Sequence, residues 1–257
     1  MGIKIILSPP ASGKTAACIE RIKTVQQGNP LAKAWVIVPN AQKAAYFKSR
    51  LATAGGAMGV KVSNFRTFYQ EVLEESDKFV PVITPALSNR LIQETVDDVY
   101  ALGKLSHYAS IKGKLGFLSM LQDAFAELRS AMVKPANFLE YTRETSLAHH
   151  ELAILYDHFL TRLESINWID AEGQAWLAIE ALETKPQLLS KLSLVIADGF
   201  SSFTASQIQF FKQINEHTDE VFITLTGQEE LSRQVDARTL DVVNKLKEVF
   251  PFEIVEL

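Results

Sequence analysis

Short apolar runs and longer amphipathic stretches divide the chain into three parts. In the first part, the runs Ile3–Leu7 and Ala34–Pro39 are each followed by a helical pattern, and Gly59–Val62 is a shorter strand candidate. In the last part, Leu192–Ala197, Glu220–Leu225 and Phe252–Val255 are again strand-like. Apolar runs that alternate with helices predict parallel strands joined by right-handed crossovers.

The middle part has almost no strand signal. From about Pro81 to Pro186 the apolar positions have helical spacing, most clearly over Leu115–Arg129 and Leu147–Ile166. We therefore predict the α/β class: a parallel-sheet domain formed by residues 1–80 and 190–257, interrupted by an all-helical insertion over residues 81–189.

The composition narrows the class of protein. The chain has 257 residues, 47% of them hydrophobic, and one cysteine. These values exclude a disordered chain and a disulfide scaffold, and one cysteine fits a reducing compartment. No apolar run approaches the roughly 18 residues of a membrane span. We expect a soluble, cytoplasmic protein without a membrane partner.

The charge is unevenly distributed along the chain. Residues 1–70 hold ten lysines and arginines and one acid, Glu20, a net charge of +9, whereas residues 71–257 have a net charge of −13. This asymmetry predicts a basic face for an anionic ligand. On charge alone, a chance cluster of solvated lysines stays an equal alternative.

The strongest motif follows the first predicted strand. It fits the phosphate-binding pattern G-x-x-x-x-G-K-[ST], except that serine takes the place of the first glycine. Such a loop and the helix after it direct backbone N–H groups at phosphates, while the lysine binds phosphate and the threonine hydroxyl binds Mg²⁺. We expect ATP and Mg²⁺ to bind here. The nucleotide-binding candidates are Ser8, Pro9, Pro10, Ala11, Ser12, Gly13, Lys14 and Thr15.

A second element of such a site is an acid at the end of a buried strand, which orders the Mg²⁺ ligands. Asp198 fits this role, and with Thr15 it is the candidate metal ligand. Helicase-type ATPases usually place a glutamate next, but here Gly199 follows. Loss of a general base weakens hydrolysis by about 10²–10⁴ in rate and leaves binding less affected. Glu229 and Glu230 are substitutes, although surface loop glutamates are the commoner explanation.

Several phrases resemble the opening of the B-type subunit of the two-subunit ATP-dependent helicase/nucleases, the AddB and RexB family. The Ser8–Thr15 loop is followed by Trp35–Gln42 and by a phrase at Val62–Phe68. The most specific piece is Asp198–Gln207, which is similar to an Asp-Gly-Phe…Phe-Thr…Gln signature of the family. The resemblance covers the chain but only the leading part of a family member, so we expect a fragment of a longer protein.

The resemblance implies a superfamily 1 helicase-like, RecA-type domain with a helical subdomain, in a complex that processes double-strand breaks. It implies a module degenerate as a motor, a partner of the A type that supplies the competent motor, and single- or double-stranded DNA as a ligand. The family's nuclease site lies outside this chain. The resemblance and the basic or aromatic character of the residues give these DNA-binding candidates: Gln42, Lys43, Lys48, Phe65 and Arg66. For Phe68 and Tyr69 we expect core packing.

Two other hypotheses about the function of the chain stay open. A stand-alone P-loop NTPase or kinase would use the insertion as a lid, although Arg90, Arg129, Arg143 and Arg162 form no clustered motif. A non-catalytic scaffold with a vestigial loop would bind DNA or a partner, which the departures at Ser8 and Gly199 favour. Whether the chain is an enzyme is thus undecided by its sequence.

Overall fold

The computed structural model of the chain describes residues 2–78, 80–189, 192–226 and 234–255, without the side chains of Pro186 and of residues 234–240. The chain forms two compact units. Residues 1–78 and 177–257 make one, called the α/β unit, and residues 79–176 make the other, called the helical unit. The predicted domain limits, at residues 80–81 and 189–190, remain a prediction.

Six strands form one parallel sheet in the described part of the α/β unit. They are β1 (Gly2–Ser8), β2 (Lys33–Ile37), β3 (Val60–Ser63), β4 (Leu192–Phe200), β5 (Glu220–Thr226) and β6 (Phe252–Val255). Their spatial order is β3-β2-β4-β5-β1-β6, so β5 lies between β1 and β4. The predicted α/β class with a parallel sheet is confirmed, and the sheet agrees with a RecA-like fold.

Several of the helices begin at a residue whose side chain caps the first turn. In chain order the helices are α1 (Lys14–Gly28), α2 (Ala41–Thr53), α3 (Phe65–Glu75), α4 (Pro85–Ala101), α5 (Leu115–Ser130), α6 (Pro135–Thr142), α7 (Leu147–Ser165), α8 (Gly173–Thr184), α9 (Ala205–His217) and α10 (Gln234–Val249). Asn40 and Asn64 cap α2 and α3 by accepting a backbone N–H, and Thr204 forms a capping box with Gln207 at α9.

Both faces of the sheet are covered. On one face, Val36 belongs to the same buried cluster as Ile22 of α1 and Phe47 of α2. On the other, the Trp35 ring lies 4.5 Å from the ring of Phe68 on α3. Neighbouring strand residues point to opposite faces, so a strand buried on both sides is a continuous apolar run. This explains the apolar runs in the sequence.

The helical unit has its own core. Helices α5 and α7 confirm the helices predicted over Leu115–Arg129 and Leu147–Ile166. At their interface the Phe125 and Phe159 rings stack with centroids 5.1 Å apart. In the described part of the chain, no helix combines the length and the apolar character that crossing a membrane requires.

A buried carboxylate fixes the connection between α4 and α5. Glu151 of α7 is 1% exposed and accepts backbone N–H groups from Ser106, His107 and Tyr108 at 2.7, 2.7 and 3.1 Å. Burial raises the pKa of Glu151, but the N–H donors together outweigh burial and bring the pKa below its ordinary value. The ionised form therefore holds this loop.

The first and last segments of the helical unit run side by side. The Ile83 N–H donates to the Ile169 carbonyl at 2.8 Å, and the Ile169 N–H donates to the Pro81 carbonyl at 3.0 Å. Val82 and Ile169 form a parallel bridge between these segments. The helical unit is thus closed at its own base.

Candidate nucleotide-binding site

The Ser8–Thr15 loop joins β1 to α1 at the carboxyl end of the sheet. Gly13 precedes α1 with a φ of +95°, a left-handed conformation that favours glycine. Ser8 ends β1, is 5% exposed, and its hydroxyl lies 2.7 Å from that of Ser12. The serine that departs from the motif therefore links the two ends of the loop through its side chain. The loop passes directly into the N-terminus of α1, where backbone N–H groups favour an anion.

Lys14 folds over its own loop. Its ammonium Nζ donates to the carbonyl oxygens of Ser8 and Pro9 at 2.9 and 2.5 Å. Burial lowers the pKa of the Lys14 ammonium, and the negative charge of Asp198 opposes part of that change. These hydrogen bonds hold the Lys14 amine at the loop, close to where a loop of this motif binds a phosphate.

Asp198 joins the two predicted halves of the site. Its Oδ2 accepts a hydrogen bond of 2.8 Å from the Thr15 hydroxyl, although the two residues are far apart in sequence. Its Oδ1 accepts one of 2.6 Å from the Thr224 hydroxyl on β5. Asp198 is 7% exposed, so these hydroxyls fix a largely buried carboxylate. A hydroxyl beside a carboxylate is a donor set that suits Mg²⁺, since this ion binds oxygen ligands.

The residue after Asp198 has an unusual backbone. Gly199 has a φ of +82°, and the pairing of β4 with β5 shifts register between Ala197 and Phe200. A side chain at this position would start from a left-handed backbone. The substitutes Glu229 and Glu230 lie outside the described residues.

The DNA-binding candidates separate into three groups. Gln42 and Lys43 line a cleft of about 730 Å³ together with the Ser8–Thr15 loop and Asp198. Lys48 and Arg66 are exposed but do not line this cleft. Phe65 requires a correction: it is 6% exposed and packs among aromatic rings, including Phe211 at 5.4 Å. Phe65 thus has no open ring face for a base and is a core residue.

Phe68 and Tyr69, predicted as core residues, are 0% and 6% exposed, which confirms the prediction.

Sequence reasoning missed three residues at this site. Thr224 holds Asp198, and Tyr46 and Arg50 of α2 line the cleft. Tyr46 and Arg50 follow Lys43 by three and seven residues. This helical spacing is a sequence signal that places all three on one face of α2. Thr224 has only the weak signal of a polar residue inside an apolar strand.

The six-stranded parallel sheet, covered by helices on both faces, is of the RecA-like α/β class. The sequence model of the family described as "ADDB, N-terminal" matches residues 5–250, and the chain belongs to this family. The resemblance seen in the sequence is therefore confirmed.

Relatives that match nearly the whole chain are named as the B-type subunit of an ATP-dependent helicase/deoxyribonuclease. Those of Moorella thermoacetica and Alkaliphilus metalliredigens are both 26% identical to this chain, and that of Clostridioides difficile is 25% identical. Each match covers 88% of this chain and 20% of the relative. The chain thus spans about a fifth of the length of these relatives.

Proposed function

We propose that this chain is an ATP-binding, helicase-like module of the B-type subunit of an ATP-dependent helicase/deoxyribonuclease that acts in the repair of DNA double-strand breaks. The observation that carries the proposal is the hydrogen bond of 2.8 Å between Thr15 and Asp198. It joins a phosphate-loop threonine to a strand-end carboxylate, which is the pair that such sites use around Mg²⁺. The name of the relatives supports the assignment to a helicase/nuclease complex.

In this proposal each part of the site has one role. The Ser8–Thr15 loop and the α1 N-terminus bind the phosphates, and Lys14 exchanges its loop carbonyls for phosphate oxygens. Thr15 and Asp198 hold Mg²⁺, directly or through water. When bound, the ion neutralises phosphate charge.

Calorimetric titration with ATP and Mg²⁺ tests the proposal. We expect micromolar or weaker binding by the wild type and no measurable binding by Lys14→Ala. Lys23→Ala is the matched control, because Lys23 lies on the same helix but pairs with Glu20 at 3.0 Å on the exposed side. If titration of the wild type releases no heat of binding, the proposal is overturned. If Lys14→Ala and Lys23→Ala lose the same affinity for ATP, Lys14 is not part of the site.

We further propose that the isolated chain hydrolyses ATP little or not at all. Gly199 stands where helicases place a glutamate, and its φ of +82° disfavours any larger residue there. By the same proposal, the A-type partner of the helicase/nuclease supplies the competent motor. Steady release of phosphate by the purified chain, abolished in Lys14→Ala, would contradict this part.

DNA binding is a second proposed role, because α2 contains no acidic residue and exposes Lys43 and Lys48. Fluorescence anisotropy with a single-stranded oligonucleotide tests it over a series of salt concentrations. Each lost phosphate contact reduces the slope of log K against log salt by about 0.7. We expect that reduction in Lys48→Ala; affinity independent of salt would exclude phosphate contacts.

The hypothesis of a stand-alone kinase receives less support than that of a helicase-like module. A lid would direct arginines at the transferred phosphate, but three of the four candidates form ion pairs within the helical unit. Arg90 pairs with Glu94, Arg129 with Asp170, and Arg162 with Asp98. Transfer of phosphate to a small acceptor by the purified chain would restore this reading.

A further inference from the structure

One face of α2 forms a wall of the cleft that contains the Ser8–Thr15 loop. Lys43, Tyr46 and Arg50 lie on this face at spacings of three and four residues, and all three line the cleft. We call these three residues the α2 wall. The neighbouring Phe47 is 1% exposed and anchors the helix in the core, whereas Tyr46 is 52% exposed.

The cations of the α2 wall have no acid beside them on α2, and Glu20, which lines a neighbouring pocket with Arg50, pairs with Lys23. In the described part of the chain, neither Lys43 nor Arg50 forms an ion pair with a carboxylate. The sequence contains no acid between Glu20 and Glu71. Among the charged residues that the structure describes around the cleft, Lys14 and Asp198 oppose each other, which leaves the two wall cations in excess.

Arg50 is held in place by Tyr46. An Arg50 guanidinium N–H donates to the Tyr46 hydroxyl at 3.0 Å, and the guanidinium carbon lies 5.8 Å from the centre of the Tyr46 ring. A guanidinium has five N–H donors, so most of them stay available after this bond. A side chain fixed in this way loses less conformational entropy when it binds an anion.

We propose that Lys43 and Arg50 bind the terminal phosphate of a nucleoside triphosphate whose other phosphates lie on the Ser8–Thr15 loop. The α2 wall then makes the site selective for a triphosphate over a diphosphate. This inference rests on the proposed nucleotide binding and names a determinant of specificity within it. A loop and a lysine alone bind both nucleotides, whereas cations on a second wall add energy only when a further phosphate is present.

Calorimetric titrations of ADP and a non-hydrolysable ATP analogue, both with Mg²⁺, measure this selectivity. We expect Arg50→Ala to bind the analogue at least about tenfold more weakly, the loss typical of a hydrogen bond to a charged group. Its affinity for ADP changes less than twofold. Lys43→Ala follows the same pattern, and Tyr46→Phe produces a smaller loss because only the orienting hydroxyl is removed.

Lys48→Ala is the matched control, since it removes a positive charge from the same helix but outside the cleft. We expect it to leave the affinity for both nucleotides unchanged. All four substituted residues are exposed, so the variants should unfold in urea as the wild type does.

Three results overturn the inference while nucleotide binding itself stands. These are equal losses for both nucleotides in Arg50→Ala, a loss as large in Lys48→Ala, and weaker single-stranded DNA binding in Arg50→Ala with unchanged nucleotide affinity. The last result would assign the α2 wall to DNA phosphates. If the wild type binds neither nucleotide, the proposed function fails instead.

Discussion

The backbone at Gly199 predicts a stability cost for any side chain at that position. A residue with a Cβ in the left-handed region costs about 1–2 kcal/mol. Among the described residues the Cβ itself would meet only the Pro39 Cδ at 3.8 Å, an ordinary contact, so no steric term is added. Alanine also has fewer conformations than glycine in the unfolded chain, which stabilises the folded state by about 0.4–1 kcal/mol. We expect Gly199→Ala to lower the free energy of unfolding by about 1 kcal/mol.

Gly28→Ala supplies the comparison in the same unit. Gly28 ends α1, has no positive φ, and no atom of the described residues lies within 4 Å of its Cβ position. Alanine should therefore stabilise this helix end by about 0.5–1 kcal/mol. Urea denaturation followed by circular dichroism should separate the two variants by about 1.5–2 kcal/mol. Equal stabilities would refute the reasoning from the backbone at Gly199.

The backbone at Gly199 also limits catalysis. Gly199→Glu introduces the carboxylate that helicases carry after this aspartate, but from a backbone that L-residues disfavour. We expect the variant to lose stability as Gly199→Ala does and to gain no release of phosphate from ATP. Turnover well above that of the wild type would show that only the carboxylate was missing.

Two further predictions concern buried carboxylates. Thr224→Val leaves the Asp198 Oδ1 without its donor and should cost about 1–3 kcal/mol in urea denaturation, whereas Thr224→Ser keeps the bond and most of the stability. Because the folded protein lowers the pKa of Glu151, its ionised form stabilises the fold above the ordinary value of 4.5, and this stability is lost as pH falls through the lowered pKa. The gap in Tm between wild type and Glu151→Gln should therefore be widest near neutral pH and close in acid; a constant gap would contradict this.

Local sequence signals predict the elements well, for physical reasons. Strands buried on both faces are continuous apolar runs, as in Ala34–Pro39, which predicts β2 (Lys33–Ile37) with its last four residues all buried. Helix starts follow from caps that act within four residues, as Asn64 and Thr204 do. Such signals need no knowledge of distant contacts.

Tertiary neighbours explain what the sequence does not reveal. Thr224 is a site residue only because β5 lies between β1 and β4, an order that no local pattern encodes. The prediction for Phe65 is wrong because an aromatic residue at the start of a helix has the same local pattern whether it faces solvent or the core. Its burial comes from Phe200, Phe203 and rings on α9.

The bridge between Val82 and Ile169 has a consequence for how this chain can change over evolutionary time. Contacts within the helical unit hold its two ends together. They therefore offset the conformational entropy that is lost when the chain between Val82 and Ile169 is closed into a loop. Loop-closure entropy grows only with the logarithm of length, about 0.6 kcal/mol for each doubling. Helices can therefore be lengthened, trimmed or exchanged between these two anchor residues while the strands that carry the Ser8–Thr15 loop and Asp198 keep their pairing.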